Sequence, residues 1–344
     1  MAPAAVQTDS TLPRSDCSSD VSKGRISSLE SDEFYYKEFN IRNLAISVTS
    51  GTAVAAGMVA FAFWFPFFLA PDAAKNTYHW AFYSYDAKVS HFDNSAWTYC
   101  TDYVLAVIMA WMAYSILRYS RPGVSDRLSN RSAALKMSYC ISVLAGGYCH
   151  QNYTTLESRN SLSFRILWTI CVGTVTGANC SMGMSGSEVI RKFQQHHRCC
   201  PLLLKVPVIP ESFWLTLGLA ITAVCAFGGM SFQRPACDIF IAGITQTPSS
   251  FYLMTFFYLV KHTRVQSSAK VIGFIGFILN APLLPMYPLL VTYTNWSLAS
   301  VNTLLHCWLC VAWSMQGYSL RHMIQAMVAD RDEIIAKVKV TKSR

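Results

Sequence analysis

Long apolar blocks separated by short polar connections make up the chain after its first 45 residues. A helix that crosses the hydrocarbon core of a bilayer needs roughly 20 mostly apolar residues. Unpaired backbone amides are too costly in lipid for open strands, so helices are the expected structure. The pattern predicts an all-α bundle of eight transmembrane helices, over residues 46–70, 98–117, 137–150, 165–186, 212–230, 237–260, 271–294 and 297–320.

The two ends of the chain differ in character from the predicted bundle at 46–320. Residues 1–45 mix Ser, Asp, Lys and Arg with few aliphatic residues, and such a segment buries too little surface to offset its ordering entropy. We therefore expect a disordered tail there, with no cleavable signal peptide. Residues 321–344 are basic and carry apolar residues at helical spacing, which indicates a short helical tail on an anionic membrane surface.

The basic residues are distributed unevenly around the eight predicted spans. Of the 28 Lys and Arg residues, 23 fall on the side that holds both ends of the chain and 5 on the other side. Cytosolic connections carry the excess of Lys and Arg in membrane proteins, so both termini are predicted to be cytosolic. The net charge of +9 is thus a sign of topology, and the expected partners are membrane lipids and not nucleic acid.

Two kinds of modification fit this orientation. Asn152 and Asn295 each begin an Asn-x-Ser/Thr pattern on the predicted outer or lumenal side, which predicts N-glycosylation. Cys199 and Cys200 lie together in a predicted cytosolic connection, where lipidation is the functional interpretation and a pair of unmodified thiols is the alternative.

Ionisable residues inside membrane spans are costly, which makes them functional candidates. The four candidates are Asp102, His150, Asp238 and His306, and the predicted topology puts all four at the outer ends of their helices. Asn302 lies four residues before His306 and therefore shares its helix face. We expect Asp102, His150 and His306 to converge in a site open to the outer leaflet, with Asn302 and Asp238 at its rim.

Three roles for such a cluster stay open. A carboxylate and two imidazoles are a ligand set for Zn²⁺ with a position left for catalytic water, so the same three residues are candidate catalytic residues and metal ligands. Asp and His also relay protons or coordinate ions, which would suit a transporter or channel for a small solute or ion. The third role is structural, in which Asp102 and His150 form hydrogen bonds between helices.

Two short motifs carry a resemblance to known families. Thr101-Asp102-Tyr103 in one helix and Gly146-Gly147-Tyr148-Cys149-His150 in the next resemble a small, poorly characterised group of multispan membrane proteins. The resemblance covers roughly residues 98–186. With the first span set aside, the seven remaining helices are also loosely similar to the superfamily of alkaline ceramidases and progestin-adipoQ receptors.

That second resemblance implies a buried zinc ion held by His residues, with Ser and Asp nearby, and cleavage of lipid amides or receptor-like lipid binding. This chain departs from the superfamily pattern at two positions. Gly146 stands where the superfamily has a Ser four residues before the His, and Asn302 stands where it has a second His on the last helix.

Overall fold

The computed structural model describes residues 40–69, 83–84, 92–120, 125–195, 205–230, 233–234, 238–259 and 265–342. Most of the predicted N-terminal tail, together with Cys199 and Cys200, lies outside these ranges. The described residues form nine helices: α1 Ile41–Leu69, α2 Ala96–Arg118, α3 Asp126–Asn152, α4 Leu156–Asn160, α5 Leu162–Gln195, α6 Glu211–Met230, α7 Asp238–Leu259, α8 Ser267–Tyr293 and α9 Leu298–Lys342.

The predicted all-α fold is confirmed. Each of the eight predicted spans corresponds to one helix, and the five-residue α4 is the helix that the hydrophobic pattern did not predict. The one pairing of strands among the described residues is minor: β1 Tyr83–Ser84 and β2 Gln233–Arg234 are antiparallel, with Tyr83 opposite Arg234.

Three described segments are long and apolar enough to cross a membrane, and they indicate a membrane-embedded protein: Ile41–Phe61, Ala96–Arg118 and Leu298–Ala329. Glu211–Phe227 and Ser267–Leu283 are apolar but shorter. Helix α5 is less apolar and buries polar side chains inside the bundle, among them Asn179, and α7 buries Gln246. The count of eight spans stays a prediction.

Helix α2 shows how a helix can be apolar on both sides. Its exposed large side chains include Val104, Val107, Trp111 and Tyr114, at spacings of three and four residues that form one outward stripe. Its buried positions include Thr98, Asp102, Leu105, Met109 and Ile116 on the other side. An exposed apolar stripe of this kind suits contact with lipid.

Six helices close a ring in which each packs against the next: α2, α3, α5, α7, α8, α9 and back to α2. Helix α6 packs on α5, and α1 packs on α6 and α7 outside that ring. The starts of α2 and α9 meet the end of α3 at one end of the ring, called the site end below. The opposite end, where α3 and α6 start and α5 ends, is called the far end.

The last predicted span and the predicted helical tail form one helix. Helix α9 continues without a break from Leu298 to Lys342. Met323 and Ile324 are fully buried in the main core, which gives the physical reason for the continuation. At 1.5 Å per residue the helix is about 68 Å long, more than twice the thickness of a hydrocarbon core.

A polar layer lies in the middle of the bundle. Lys136 on α3 is fully buried, and its Nζ donates to the Trp313 carbonyl oxygen at 2.8 Å and to Gln316 Oε1 at 3.1 Å. The Tyr139 ring stacks on the Trp313 ring with centroids 3.8 Å apart, and the Trp313 indole donates to Asn280 Oδ1 at 2.7 Å. These contacts tie α3, α8 and α9 together.

The far end holds a compact group of four charged residues, called the far-end cluster. Glu188 on α5 accepts from Arg131 on α3 at 3.3 Å and from Arg191 one turn along its own helix. Arg131 also pairs with Glu211 at the start of α6. Among the described residues, two positive and two negative charges thus bridge three helices.

Candidate functional site

Asp102 and His306 form an ion-pair contact between α2 and α9 at the site end. His306 Nε2 lies 3.3 Å from Asp102 Oδ1. Asp102 is 2% exposed and sits in the second turn of α2, while His306 sits in the third turn of α9. The structure therefore brings together two of the three central candidates that the sequence suggested.

The hydrogen bonds around His306 indicate how its protons are placed. Its Nδ1 lies 3.0 Å from Thr101 Oγ1, and this hydroxyl lies 2.7 Å from the Trp97 carbonyl oxygen and 2.8 Å from that of Thr98. The hydroxyl has one proton and donates it to a carbonyl, so its oxygen accepts from His306 Nδ1. The contact between His306 Nε2 and Asp102 Oδ1 then holds one proton that either group can carry.

The second oxygen of Asp102 keeps its capacity to accept hydrogen bonds. Oδ2 is buried and has no hydrogen-bond partner among the described residues. A Cβ atom at Gly146 would lie 3.9 Å from Oδ2, and one at Gly147 would lie only 2.9 Å from Asp102 Cβ. The two glycines therefore let α3 lie directly against Asp102, and they leave Oδ2 able to accept from a ligand or water.

His150 occupies the last full turn of α3 and is held in one orientation. Its Nδ1 lies 2.6 Å from the Asp93 carbonyl oxygen, an atom that can only accept, so Nδ1 is the donor. The Phe92 ring stacks on the imidazole with centroids 4.6 Å apart, and Trp168 meets it edge-on. In a neutral imidazole Nε2 then carries the lone pair, and this nitrogen is the one available to act as a base or to bind a metal.

Asp93 is a central residue of the site that the sequence reasoning missed. Its carboxylate accepts from the Ser95 amide at 2.9 Å, from the Thr98 hydroxyl, and from Asn302 Nδ2 at 3.3 Å. Partial burial raises the pKa of Asp93, but these hydrogen bonds outweigh burial and lower the pKa below its usual value. Asp93 therefore links Asn302 on α9 to His150 on α3 through its carboxylate and its backbone carbonyl.

Asn94 holds the end of α3 in place beside Asp93. Its Nδ2 donates to the backbone oxygens of His150 at 2.5 Å and Tyr153 at 3.2 Å, which satisfies carbonyl groups at a helix end. The sequence carries a signal for this segment, because Asp93 and Ser95 precede an apolar run in the way that helix-start residues do, and the Ser95 side chain accepts from the Thr98 amide.

The remaining sequence candidates are placed as follows. Asn302 joins the site through Asp93, whereas Asp238 is the first residue of α7 and its side chain is outside the described part of the chain. Asn152 is the exposed last residue of α3, and Asn295 is exposed in the connection before α9. Both glycosylation candidates thus lie at the site end, in agreement with their predicted common side.

Zinc needs more ligands than these residues offer in their present arrangement. A catalytic zinc site has three protein ligands. Across the described part of the chain, no three His, Cys, Asp or Glu side chains gather closely enough to hold a metal ion. His306 and Asp102 use the facing atoms Nε2 and Oδ1 on one another, and His150 contacts Asp93 instead. Zinc binding stays a prediction, and no chemical step below depends on it.

Apolar residues separate the site from the polar layer around Lys136. The buried side chains that follow Asp102 on α2 are Leu105 and Met109, and Leu309 follows His306 on α9. Val143 lies between His150 and Lys136 on α3. These apolar side chains lie between the two polar regions on α2, α3 and α9, and the buried Ser142 on α3 directs its hydroxyl to the Cys171 carbonyl oxygen at 2.7 Å.

Comparison of the chain with protein-family models, with curated proteins and with solved structures finds no match. The resemblance to the alkaline ceramidase and progestin-adipoQ receptor superfamily therefore stays an expectation that rests on the quoted motifs. The function has to be inferred from the geometry of the site.

Proposed function

We propose that this chain is a membrane protein with eight spans and cytosolic termini that hydrolyses the acyl bond of a lipid at the outer or lumenal leaflet. The supporting observation is the contact between the buried Asp102 and His306, together with His150 at the same end of the bundle, whose Nδ1 is occupied by the Asp93 carbonyl oxygen and whose Nε2 is the nitrogen left to act as a base. An acid and a base held on separate helices are the groups that acyl hydrolysis requires.

In the proposed reaction, His150 Nε2 takes a proton from a water molecule as the water oxygen attacks the acyl carbon. The bond between that carbon and the leaving nitrogen or oxygen then breaks. The pair of Asp102 and His306 donates its shared proton to the leaving group, and His150 returns the proton it took to the pair. Fatty acid and an amine or alcohol are the products, with lipid amides favoured by the resemblance to alkaline ceramidases.

The surrounding hydrogen bonds support this assignment of roles. His150 is fixed by the Asp93 carbonyl and by Phe92, which holds Nε2 in one direction. Positioned acid–base groups of this kind contribute about 10²- to 10⁴-fold to rate. A transporter or channel for a small solute or ion that uses the same Asp and His residues is the competing function.

The test uses purified protein in lipid vesicles and a ceramide with a fluorescent acyl chain. We expect release of the labelled fatty acid, and we expect His150→Gln to lower the rate by about 10²- to 10⁴-fold. His322→Gln is the matched control, because His322 lies on α9 four turns beyond His306 and contacts Tyr318 instead of the site. A measurement of zinc in the same protein, with and without chelator treatment, tests the metal prediction separately.

Two outcomes would count against the proposal. The first is no release of fatty acid from ceramide or from a matched ester substrate. The second is equal loss of activity in His150→Gln and His322→Gln, which would mean that the effect comes from the fold and not from the site. Proton uptake into vesicles that depends on His150 without any hydrolysis would favour the transport function.

A further inference from the structure

Arg159 stands out among the charged residues at the site end. It lies in the short helix α4 between α3 and α5, on the predicted outer side, where the chain places only 5 of its 28 basic residues. Because the distribution of Lys and Arg otherwise favours the opposite side, a basic residue held here needs a local explanation.

The guanidinium group of Arg159 is stacked on the same aromatic ring that holds the candidate base. Its Cζ lies 5.4 Å from the centre of the Phe92 ring, and that ring stacks on His150 at 4.6 Å. Arg159 and His150 are therefore no further apart than the sum of these two distances. A cation over an aromatic face is attracted by the ring, which fixes where the charge sits.

The charge of Arg159 is not neutralised by the described carboxylates around it. Asp93, the neighbour of Phe92, directs its carboxylate to Ser95, Thr98 and Asn302. Glu157, two residues before Arg159, is exposed and forms no described ion pair with it. The Arg159 Nε atom is itself buried and has no hydrogen-bond partner among the described residues. A buried donor without an acceptor is costly, which points to an acceptor brought by a ligand.

We propose that Arg159 binds the anionic phosphate or carboxylate of a ligand, so that lipids with a negatively charged headgroup bind at the site near His150 more tightly than uncharged lipids such as ceramide. The inference rests on the proposed function for the identity of the reacting bond. The planar guanidinium suits the two oxygens of such a group, and Phe92 holds it in position beside the candidate base. The phosphate of a lipid and free inorganic phosphate share this chemistry.

The test measures lipid binding directly, without any need for turnover. Purified full-length protein in detergent is mixed with phosphatidic acid and phosphatidylcholine of the same acyl chains, and the bound lipid is read by native mass spectrometry. We expect a preference for phosphatidic acid that falls about tenfold or more in Arg159→Gln and less in Arg159→Lys, which keeps the charge but not the planar group. Arg118→Gln, at the exposed far end of α2, should keep the full preference.

Inorganic phosphate added at millimolar concentration separates the two sources of the anion. Displacement of the bound lipid identifies the free anion as a sufficient ligand, and persistence of the lipid identifies the headgroup in its membrane setting. Equal preference in the wild-type protein and Arg159→Gln would overturn the inference. Lipid binding that depends on Arg159, without hydrolysis, would support the inference and reject the proposed function. Hydrolysis without any headgroup preference would support the proposed function and reject the role of Arg159.

Discussion

The far end and the site end of the bundle both bury charged residues, but they differ in how those charges are paired. At the far end, Glu188 and Arg131 belong to a group of two positive and two negative described residues that bridges α3, α5 and α6. At the site end, Asp102 contacts a histidine, which is charged only when it is protonated, and His150 donates its Nδ1 proton to a backbone carbonyl. Fixed ion pairs brace helices, whereas a carboxylate and imidazoles that exchange protons can act on a ligand, so we propose that the far end supports the fold and the site end carries the function.

The largest expected effect on stability tests the bracing role of the far end. Glu188→Gln removes a 1% exposed carboxylate and leaves the positive charges of Arg131 and Arg191 without it, which typically costs about 3–5 kcal/mol. Asp102→Asn keeps the shape of the side chain and an amide that can still form a hydrogen bond with His306 Nε2, and we expect a smaller loss of about 0.5–1.5 kcal/mol. Thermal unfolding in detergent, followed by loss of helical circular dichroism, measures both variants.

Equal destabilisation of Glu188→Gln and Asp102→Asn would contradict the contrast between the far end and the site end. A larger destabilisation of Asp102→Asn would contradict it as well, because the site end would then contribute more to the stability of the fold than the far end. Activity supplies the complementary readout: Asp102→Asn should abolish hydrolysis in protein that remains folded, since it removes one partner of the proton-sharing pair.

The next effect concerns the close approach of α2 and α3 that forms the site. Gly147→Ala would put a Cβ atom 2.9 Å from Asp102 Cβ and 3.1 Å from the Tyr103 ring, and overpacking of this kind costs about 1–3 kcal/mol. The matched control is Gly57→Ala on α1, where nothing lies within 4 Å of the new atom. We expect lower thermal stability and lower activity in Gly147→Ala, and wild-type values in the control.

Wild-type stability and activity in Gly147→Ala would show that α2 and α3 can move apart without loss of either. The site would then not depend on the close contact of α2 with α3, and the orientation of Asp102 would need another explanation. Unfolding temperature and hydrolysis rate measured on the same preparations distinguish this outcome from a general folding defect.

The sequence predicted the helices well because each consists of a long apolar block between polar connections. It predicted their ends less well, and that error hid part of the far-end cluster. Helix α5 runs nine residues past its predicted end at Gly186, so Glu188 and Arg191 are helical and buried. Charge alone suggested an exposed loop there, and only the packing of three helices shows that the charges are matched.

The candidate site could also be predicted only in part. Asp102, His150 and His306 could be identified because ionisable residues interrupt apolar runs. Asp93 lies just before a helix, where the pattern indicates a helix start but not a contact with the site. Its importance comes from hydrogen bonds to residues up to 209 positions away along the chain, which no local pattern contains.

The smallest expected effect is the dependence of stability on pH at Asp93. Hydrogen bonds from Thr98, Ser95 and Asn302 lower the pKa of this carboxyl in the folded protein, whereas in the unfolded chain the value is about 3.9. A carboxyl whose pKa is lowered in the folded state stabilises the protein at pH values above its unfolded pKa, and it loses that contribution as the pH falls through its folded pKa.

Asp93→Asn should therefore unfold at a lower temperature than the wild-type protein near neutral pH, and this gap in unfolding temperature should close on acidification below about pH 4. Thermal unfolding in detergent between neutral and acidic pH measures the gap, with Glu157→Gln, at an exposed carboxylate of the same end, as the control for the loss of a negative charge. A gap that stays constant with pH would mean that Asp93 acts through its shape and not its charge. The contrast between the site end and the far end would then rest on Asp102, His150 and His306 alone.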